Sequence, residues 1–280
     1  MIIFKKANLL SEYLERQHGG GKTIGFVPTM GALHEGHLSL VRGARAVNDI
    51  VACSIFVNPT QFNNAQDFQH YPNTIEKDIE LLTAAGCDLL FLPPVSEIYP
   101  PGYQKKTYDL GALEARLEGR FRPGHFQGVC EVVDRLLNIV SPNNLYLGQK
   151  DMQQCLVIKR LVHLLGKEEQ IHVTIVPTQR EDSGLAMSSR NLRLNEKERE
   201  LAAAISAELK NIKENLQERP VAELEKIAIK NLSDRGFVVD YVTVAQADDL
   251  SPADDTQHPL VALAAASLGA VRLIDNLPLN

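Results

Sequence analysis

Between Thr23 and Ala44 the chain reads as strand, tight turn and helix, and that order constrains the fold more than any other stretch. The apolar run Thr23-Ile-Gly-Phe-Val-Pro28 is of strand length, Gly31 allows a turn, and Leu38, Val41 and Ala44 recur at helical spacing from about Glu35. A helix start offers N–H groups without intrahelical partners and a partial positive charge, both of which suit an anion. Gly31 and Gly36 leave room for a phosphate to approach the backbone. His34 and His37, as His-x-Gly-His, add donors that can stabilise charge developing in phosphoryl or nucleotidyl transfer. They fit zinc poorly, because the zinc-protease helix sets its two histidines four apart with Glu after the first.

Similar runs alternate downstream. Residues 50–57 are continuously apolar, the pattern of a strand buried on both faces. Thr74 is placed to cap a helix reaching Ala85, which Gly86 would end. Residues 88–92, 145–148 and 171–176 read as strands, and residues 125–140 and 152–165 as helices. The alternation predicts an α/β fold, a Rossmann-like parallel sheet with helices on both faces. After Gly184 the texture changes. Asn195-Glu-Lys-Glu198 has the form of a capping box opening a long helix to Leu216, and a second helix follows Pro220. Strands at 238–244, 260–265 and 271–274 complete a smaller C-terminal α+β unit. The expected domains are 1–176, carrying the binding site, and 177–280, a lid.

Composition removes several classes of function. The net charge is −6 and no basic block is present, which disfavours a nucleic-acid partner. The start, Met1-Ile-Ile-Phe-Lys-Lys, lacks a signal peptide's apolar segment, and no run approaches the roughly 20 apolar residues of a membrane span. Cys53, Cys87, Cys130 and Cys155 lie scattered in apolar runs without metal-ligand spacing. Buried reduced thiols and a cytoplasmic location are expected.

A second signal lies far from the first. Arg180-Glu-Asp-Ser-Gly-Leu-Ala-Met-Ser-Ser-Arg-Asn191 has the polar, small-residue composition of a mobile loop. Ser188 and Ser189 supply hydroxyls, and Arg190 supplies a planar cation suited to phosphate. Paired with His-x-Gly-His, this segment resembles the second signature of the nucleotidylyltransferase superfamily, a Lys-Met-Ser-Lys-Ser-like loop. Five motifs in order narrow the resemblance: Pro28-Thr-Met-Gly-Ala-Leu-His-Glu-Gly-His37, Phe56-Val-Asn-Pro-Thr-Gln-Phe62, Arg122-Pro-Gly-His-Phe126, Gly148-Gln-Lys-Asp151 and Met187-Ser-Ser-Arg-Asn191. Together they resemble the pantoate–β-alanine ligases over essentially the whole chain.

That resemblance implies ATP-dependent condensation of pantoate with β-alanine through an acyl adenylate, with AMP and pyrophosphate released. It implies catalytic roles for His37, His34, Lys150 and Arg190, with His37 the proton donor. ATP would lie against Met30, Gly31, Ala32, Leu33, His34, Glu35, Gly36 and His37. Its other contacts would be Gly148, Gln149, Lys150, Asp151, Gln179, Met187, Ser188, Ser189 and Arg190. Gln61 and Gln154 would bind pantoate by hydrogen bonds, and Val129, Val132 and Val133 would face its methyl groups. Mg²⁺ is expected with ATP, and Asp78 is the candidate protein ligand. A homodimer is implied as well. Gln149 stands where the family pattern has Glu, and Gln179 where it is often apolar. Two other readings use the same motifs: an enzyme that transfers a nucleotide to a phosphorylated acceptor and stops, and a regulatory nucleotide-binding domain.

Overall fold

The computed structural model describes residues 1–63, 65–253 and 258–280. The chain divides into two compact units. One comprises Met1–Gly148 and Val157–Pro177, the other Gln149–Leu156 and Thr178–Asn280.

The first unit contains β1 (Ile2–Phe4), α1 (Ala7–Gly19), β2 (Ile24–Thr29), α2 (Glu35–Val47), β3 (Ile50–Ile55), α3 (Ala65–Gln69), α4 (Ile75–Ala84) and β4 (Leu89–Phe91). It continues through α5 (Val95–Ile98), α6 (Leu117–Phe121), α7 (His125–Val140) and β5 (Asn144–Gly148), and after α8 (Met152–Leu164) closes on β6 (His172–Val176). Its six strands are all parallel, in the order β1-β4-β3-β2-β5-β6. Val27, Val51, Cys53 and Leu90 share one face with Leu40, Val41 and Ala44 of α2 and Leu82 of α4. The alternate residues Phe26, Ala52 and Leu145 are equally buried and turn to the opposite face, on which α7 meets β2. Burial on both faces is why these strands read as unbroken apolar runs. The strand order reverses between β2 and β5, the switch point at whose carboxyl ends open α/β sheets bind ligands.

The second unit adds α9 (Glu196–Ala202), α10 (Ala204–Asn215), α11 (Val221–Asp234) and the antiparallel strands β7 (Val238–Gln246), β8 (Leu260–Leu268) and β9 (Val271–Pro278). β8 is central, and its small Ala262, Ala264 and Ala266 let Leu209 and Ile212 of α10 and Leu224 of α11 pack closely into one core. Among the described residues, no helix is long and apolar enough to cross a membrane.

Several expectations need correction. β1 and α1 carry too weak a sequence pattern to be foreseen: β1 is three residues long and its Ile2 and Ile3 are exposed. Thr74 does not cap α4 with its side chain; its hydroxyl donates to Asp78 Oδ1 at 3.0 Å instead. The helix expected from Asn195 to Leu216 is two helices meeting at Ala203, although the Asn195–Glu198 capping box does form. The segment Gln149–Leu156, assigned to the first domain from sequence, belongs with the second unit.

All four cysteines are buried free thiols. Burial pushes Cys87 and Cys130 up to about 12, and Cys53 well above its ordinary value. The reactive thiolate is therefore scarce at neutral pH. We expect native protein to resist a thiol reagent such as iodoacetamide at pH 8, with all four cysteines titrating only after denaturation. Rapid labelling of any one of them in the native state would contradict this burial.

Candidate active site

In the first unit the site is built on the turn between β2 and α2. Gly31 turns the chain at φ 84°, where an added Cβ would lie 3.0 Å from Ile55 Cγ2. Ala32 follows at φ 50°, a conformation that costs an alanine and needs outside support. Asp78, on α4, supplies it. Its Oδ2 accepts from Ala32 N at 2.9 Å and its Oδ1 from Leu33 N at 2.8 Å. Asp78 is only 1% exposed, and both its oxygens are occupied by backbone donors and Thr74. The candidate magnesium ligand thus braces the turn between β2 and α2.

His34 is the N-cap of α2, a post more often filled by Ser, Thr, Asp or Asn. Its Nδ1 accepts from Gly36 N at 3.1 Å, and His37 Nδ1 accepts from His34 N at 3.4 Å. The two rings lie 4.1 Å apart between centroids. An imidazole nitrogen that accepts carries no proton, so each neutral ring holds its proton on Nε2. The N–H groups of Ala32, Leu33, His34 and Gly36 already have partners within the site. Glu35, exposed on the same turn, pairs with Arg42.

Gln61 stands beside this turn, its Nε2 3.2 Å from Met30 Sδ. It ends a short 3₁₀ turn, Pro59–Gln61, and is fixed from three sides. His125 Nδ1 donates to its backbone carbonyl at 2.8 Å. The turn lies so close to α7 that a Cβ on Gly128 would come within 2.4 Å of Thr60 O. Asn58, fully buried, sets the side chain. Its Nδ2 donates to Gly128 O at 3.1 Å and to Gln61 Oε1 at 3.0 Å, while its Oδ1 accepts from Tyr99 OH at 2.9 Å. A carbonyl can only accept, so Gly128 O decides which way the Asn58 amide faces, and Asn58 in turn makes Gln61 present its NH₂. Burial raises the Tyr99 hydroxyl to about 12, so it stays protonated and able to donate. The sulfur now beside Gln61 Nε2 is a weak acceptor, and a carboxylate is a far better one.

Val129, Val132 and Val133 are buried on α7, as ordinary core residues would be. Gly148 ends β5 at the switch point.

The other candidates lie in the second unit. Lys150 sits in the 3₁₀ turn Gln149–Asp151, mostly buried, with Asp151 Oδ2 3.9 Å from its ammonium. Gln154, half-buried, follows in the first turn of α8. The segment read from composition as a mobile loop is tethered. Leu185 enters the core of the unit, Met187 N donates to the carbonyl of exposed Gln179 at 3.0 Å, and Gly184 N donates to Glu181 O at 2.8 Å. Ser188 caps the 3₁₀ turn Ser189–Arg193, accepting from Arg190 N at 3.3 Å. Asn191, buried, donates to Ala186 O and to Glu181, which Arg199 grips with two nitrogens. Composition registers polarity but not these distant partners.

The sequence profile of the pantoate-beta-alanine ligase family matches residues 2–278. The chain belongs to this family. It is 46% identical to a pantothenate synthetase of Alcanivorax borkumensis, over 96% of this chain and 94% of that one. It is 45% identical to one from Thermotoga neapolitana, over 99% of both. Among solved structures it is similar to a pantothenate synthetase of Thermus thermophilus, with a TM-score of 0.93, 41% identity and coverage of 100% of this chain and 99% of that one. It is also similar to a pantoate-beta-alanine ligase of Francisella tularensis, solved in complex with beta-gamma ATP and beta-alanine. There the TM-score is 0.84 and the identity 37%, over 99% and 97% of the chains. The chain is thus an ATP-dependent ligase of pantothenate biosynthesis, joining pantoate to β-alanine.

Sequence reasoning missed Asn58, Tyr99 and His125 as the residues that hold Gln61 in place. Asn58 lies inside a motif that was read, three residues before Gln61, and could have been found there. The partnership of Tyr99 with Asn58 spans 41 residues and leaves no local trace.

The bracing role of Asp78 has a direct consequence. Asp78→Asn places an NH₂ against a backbone N–H and should cost about 1.5–3 kcal/mol, the worth of a buried charge-assisted hydrogen bond. Urea denaturation measures the loss. Excess Mg²⁺ should not restore turnover; restoration would return Asp78 to the metal.

Proposed function

We propose that the ligase works through an acyl adenylate, with the residue roles that follow. A carboxylate oxygen of pantoate attacks the α-phosphorus of ATP, and the bond from that phosphorus to its bridging oxygen breaks, releasing pyrophosphate. The amine of β-alanine then attacks the acyl carbon, loses a proton and expels AMP as the amide forms. Binding and alignment supply most of the acceleration such a reaction needs.

One observation carries this reading: Gln61, held so as to present its NH₂, lies against Met30 at the entry to the histidine-capped turn. A donor for a carboxylate thereby adjoins donors for a phosphate within one unit. In this reading Met30 to His37 and Gly148 frame the nucleotide, and Nε2–H of His34 and His37 donates to the α-phosphate or the departing pyrophosphate. Gln61 binds the pantoate carboxylate or hydroxyls, with Gln154 a second partner. For Lys150 the family resemblance supports phosphate binding, for Asp151 a place near the ribose, and for Gln179 and Met187 to Arg190 a role along the nucleotide. The complex of the Francisella tularensis relative with beta-gamma ATP and beta-alanine supports the choice of ligands. Gln149 in place of the family's Glu alters local tuning and leaves Lys150 and Asp151 in place.

Mg²⁺ fits as a companion of ATP, coordinated by phosphate oxygens and water. Among the described residues no three His, Cys, Asp or Glu side chains cluster to hold a metal of their own. A homodimer is supported by family resemblance, and light scattering would test it.

With pantoate, β-alanine and Mg-ATP, the purified protein should yield AMP and pyrophosphate. ADP as product would mean attack at the γ-phosphorus and end the adenylate reading. His37→Ala should lower turnover on the order of 10²–10³, as for a lost oxyanion donor, with native circular dichroism. Gln61→Ala should raise the KM for pantoate and leave that for ATP nearly unchanged, a loss of about 1–3 kcal/mol in pantoate binding. Equal weakening of both substrates would remove Gln61 from the acid site.

A further inference from the structure

The last strand, β9, carries two adjacent buried polar residues, Asp275 and Asn276. Asn276 Nδ2 donates to Gln149 O and to Lys150 O, each at 2.9 Å. Both hydrogens of one amide thus go to successive carbonyls of the turn that bears Lys150. Carbonyls only accept, so the orientation of this amide is fixed. Asn276 Oδ1 is buried without a hydrogen-bond partner, so the side chain is held by its NH₂ alone. Asp275 faces the other loop. Its Oδ2 accepts from Arg180 Nη1 at 2.6 Å and its Oδ1 from Arg180 Nη2 at 3.0 Å, a two-bond fork, and Oδ1 also accepts from Asn276 N at 2.8 Å. Arg180 reaches on to Gly184 O at 3.1 Å and Asn276 O at 3.2 Å, and its backbone bridges to Ala186. Ser188 and Arg190 follow within a few residues.

We propose that Asp275 and Asn276 are positioning residues for phosphate binding, holding Lys150 and the Ser188–Arg190 segment in one fixed arrangement. The turn Gln149–Asp151 is three residues long and leads directly into α8. The lysine ammonium moves on a four-carbon stem, so its placement depends on how firmly that stem is rooted. Asn276 roots it through two bonds, and a misplacement of about 1 Å can cost on the order of 10²-fold in rate. The neighbouring carboxylate does the same for the second segment through Arg180. One dipeptide therefore couples two segments separated by about forty residues. This inference rests on the reading of Lys150 as a phosphate ligand.

The test is a double-mutant cycle read by pantoate-dependent exchange of labelled pyrophosphate into ATP. Asn276→Ala should lower the exchange rate about 10–100-fold while the KM for pantoate stays within about twofold. The double variant Lys150→Ala/Asn276→Ala should be no slower than Lys150→Ala alone, because a lysine already removed cannot be misplaced. A fully multiplicative loss, or an unchanged rate in Asn276→Ala, overturns the proposal. If Asn276→Ala does not fold, Asn276→Ser, which keeps one donor, carries the same cycle with a smaller loss. Lys150→Ala with normal exchange would overturn the phosphate reading itself. Impaired Lys150→Ala beside normal Asn276→Ala overturns only the positioning role.

Discussion

The first unit depends on a carboxylate that has given up its water. Asp78 is 1% exposed, and it is tolerable there because Ala32 N, Leu33 N and the Thr74 hydroxyl donate to it. Burying a charge without such partners would be prohibitive. The arrangement holds Gly31 and Ala32 at positive φ, and these fix where the chain leaves β2 and where α2 begins. His34 is then in place to cap α2, His37 to close the capping box, and Met30 to meet Gln61. The chemistry is thus braced from α4, about 45 residues downstream.

Two buried asparagines solve one mechanical problem in the two units. A 3₁₀ turn of three residues does little to stiffen itself, yet each of two such turns bears a side chain proposed to bind substrate, Gln61 and Lys150. Asn58 fixes the first by binding the side chain it presents, and Asn276 fixes the second by binding its carbonyls. Amides suit this work because they are uncharged, and a single carbonyl neighbour decides their orientation.

The long parallel strands, α2 and α7 were legible because burial imposes a local period that the sequence must obey. The Asn195–Glu198 capping box was legible because its partners are three residues apart. Thr74 shows where local reasoning fails: a hydroxyl just before a helix can cap it, but a buried acceptor nearby can claim it first. The 184–191 segment shows the same in reverse. Its composition is that of a loop, while its contacts are long-range: Leu185 lies in a core, Arg180 pairs with Asp275 and Asn191 with Glu181.

By itself the sequence determined the α/β class, the smaller α+β unit, the family and which residues to propose for the chemistry, since all of these reside in local periodicity or contiguous motifs. Tertiary structure alone decided what those residues face. Asp78, the candidate magnesium ligand, braces the turn after β2 because the fold brings it to two backbone N–H groups some 45 positions away. The segment after Gly148 joined the second unit as Asn276, over 120 residues later, reached its carbonyls. Hydrogen bonds between residues so far apart in the chain leave no period and no spacing to read, because they exist only once the fold has brought donor and acceptor together.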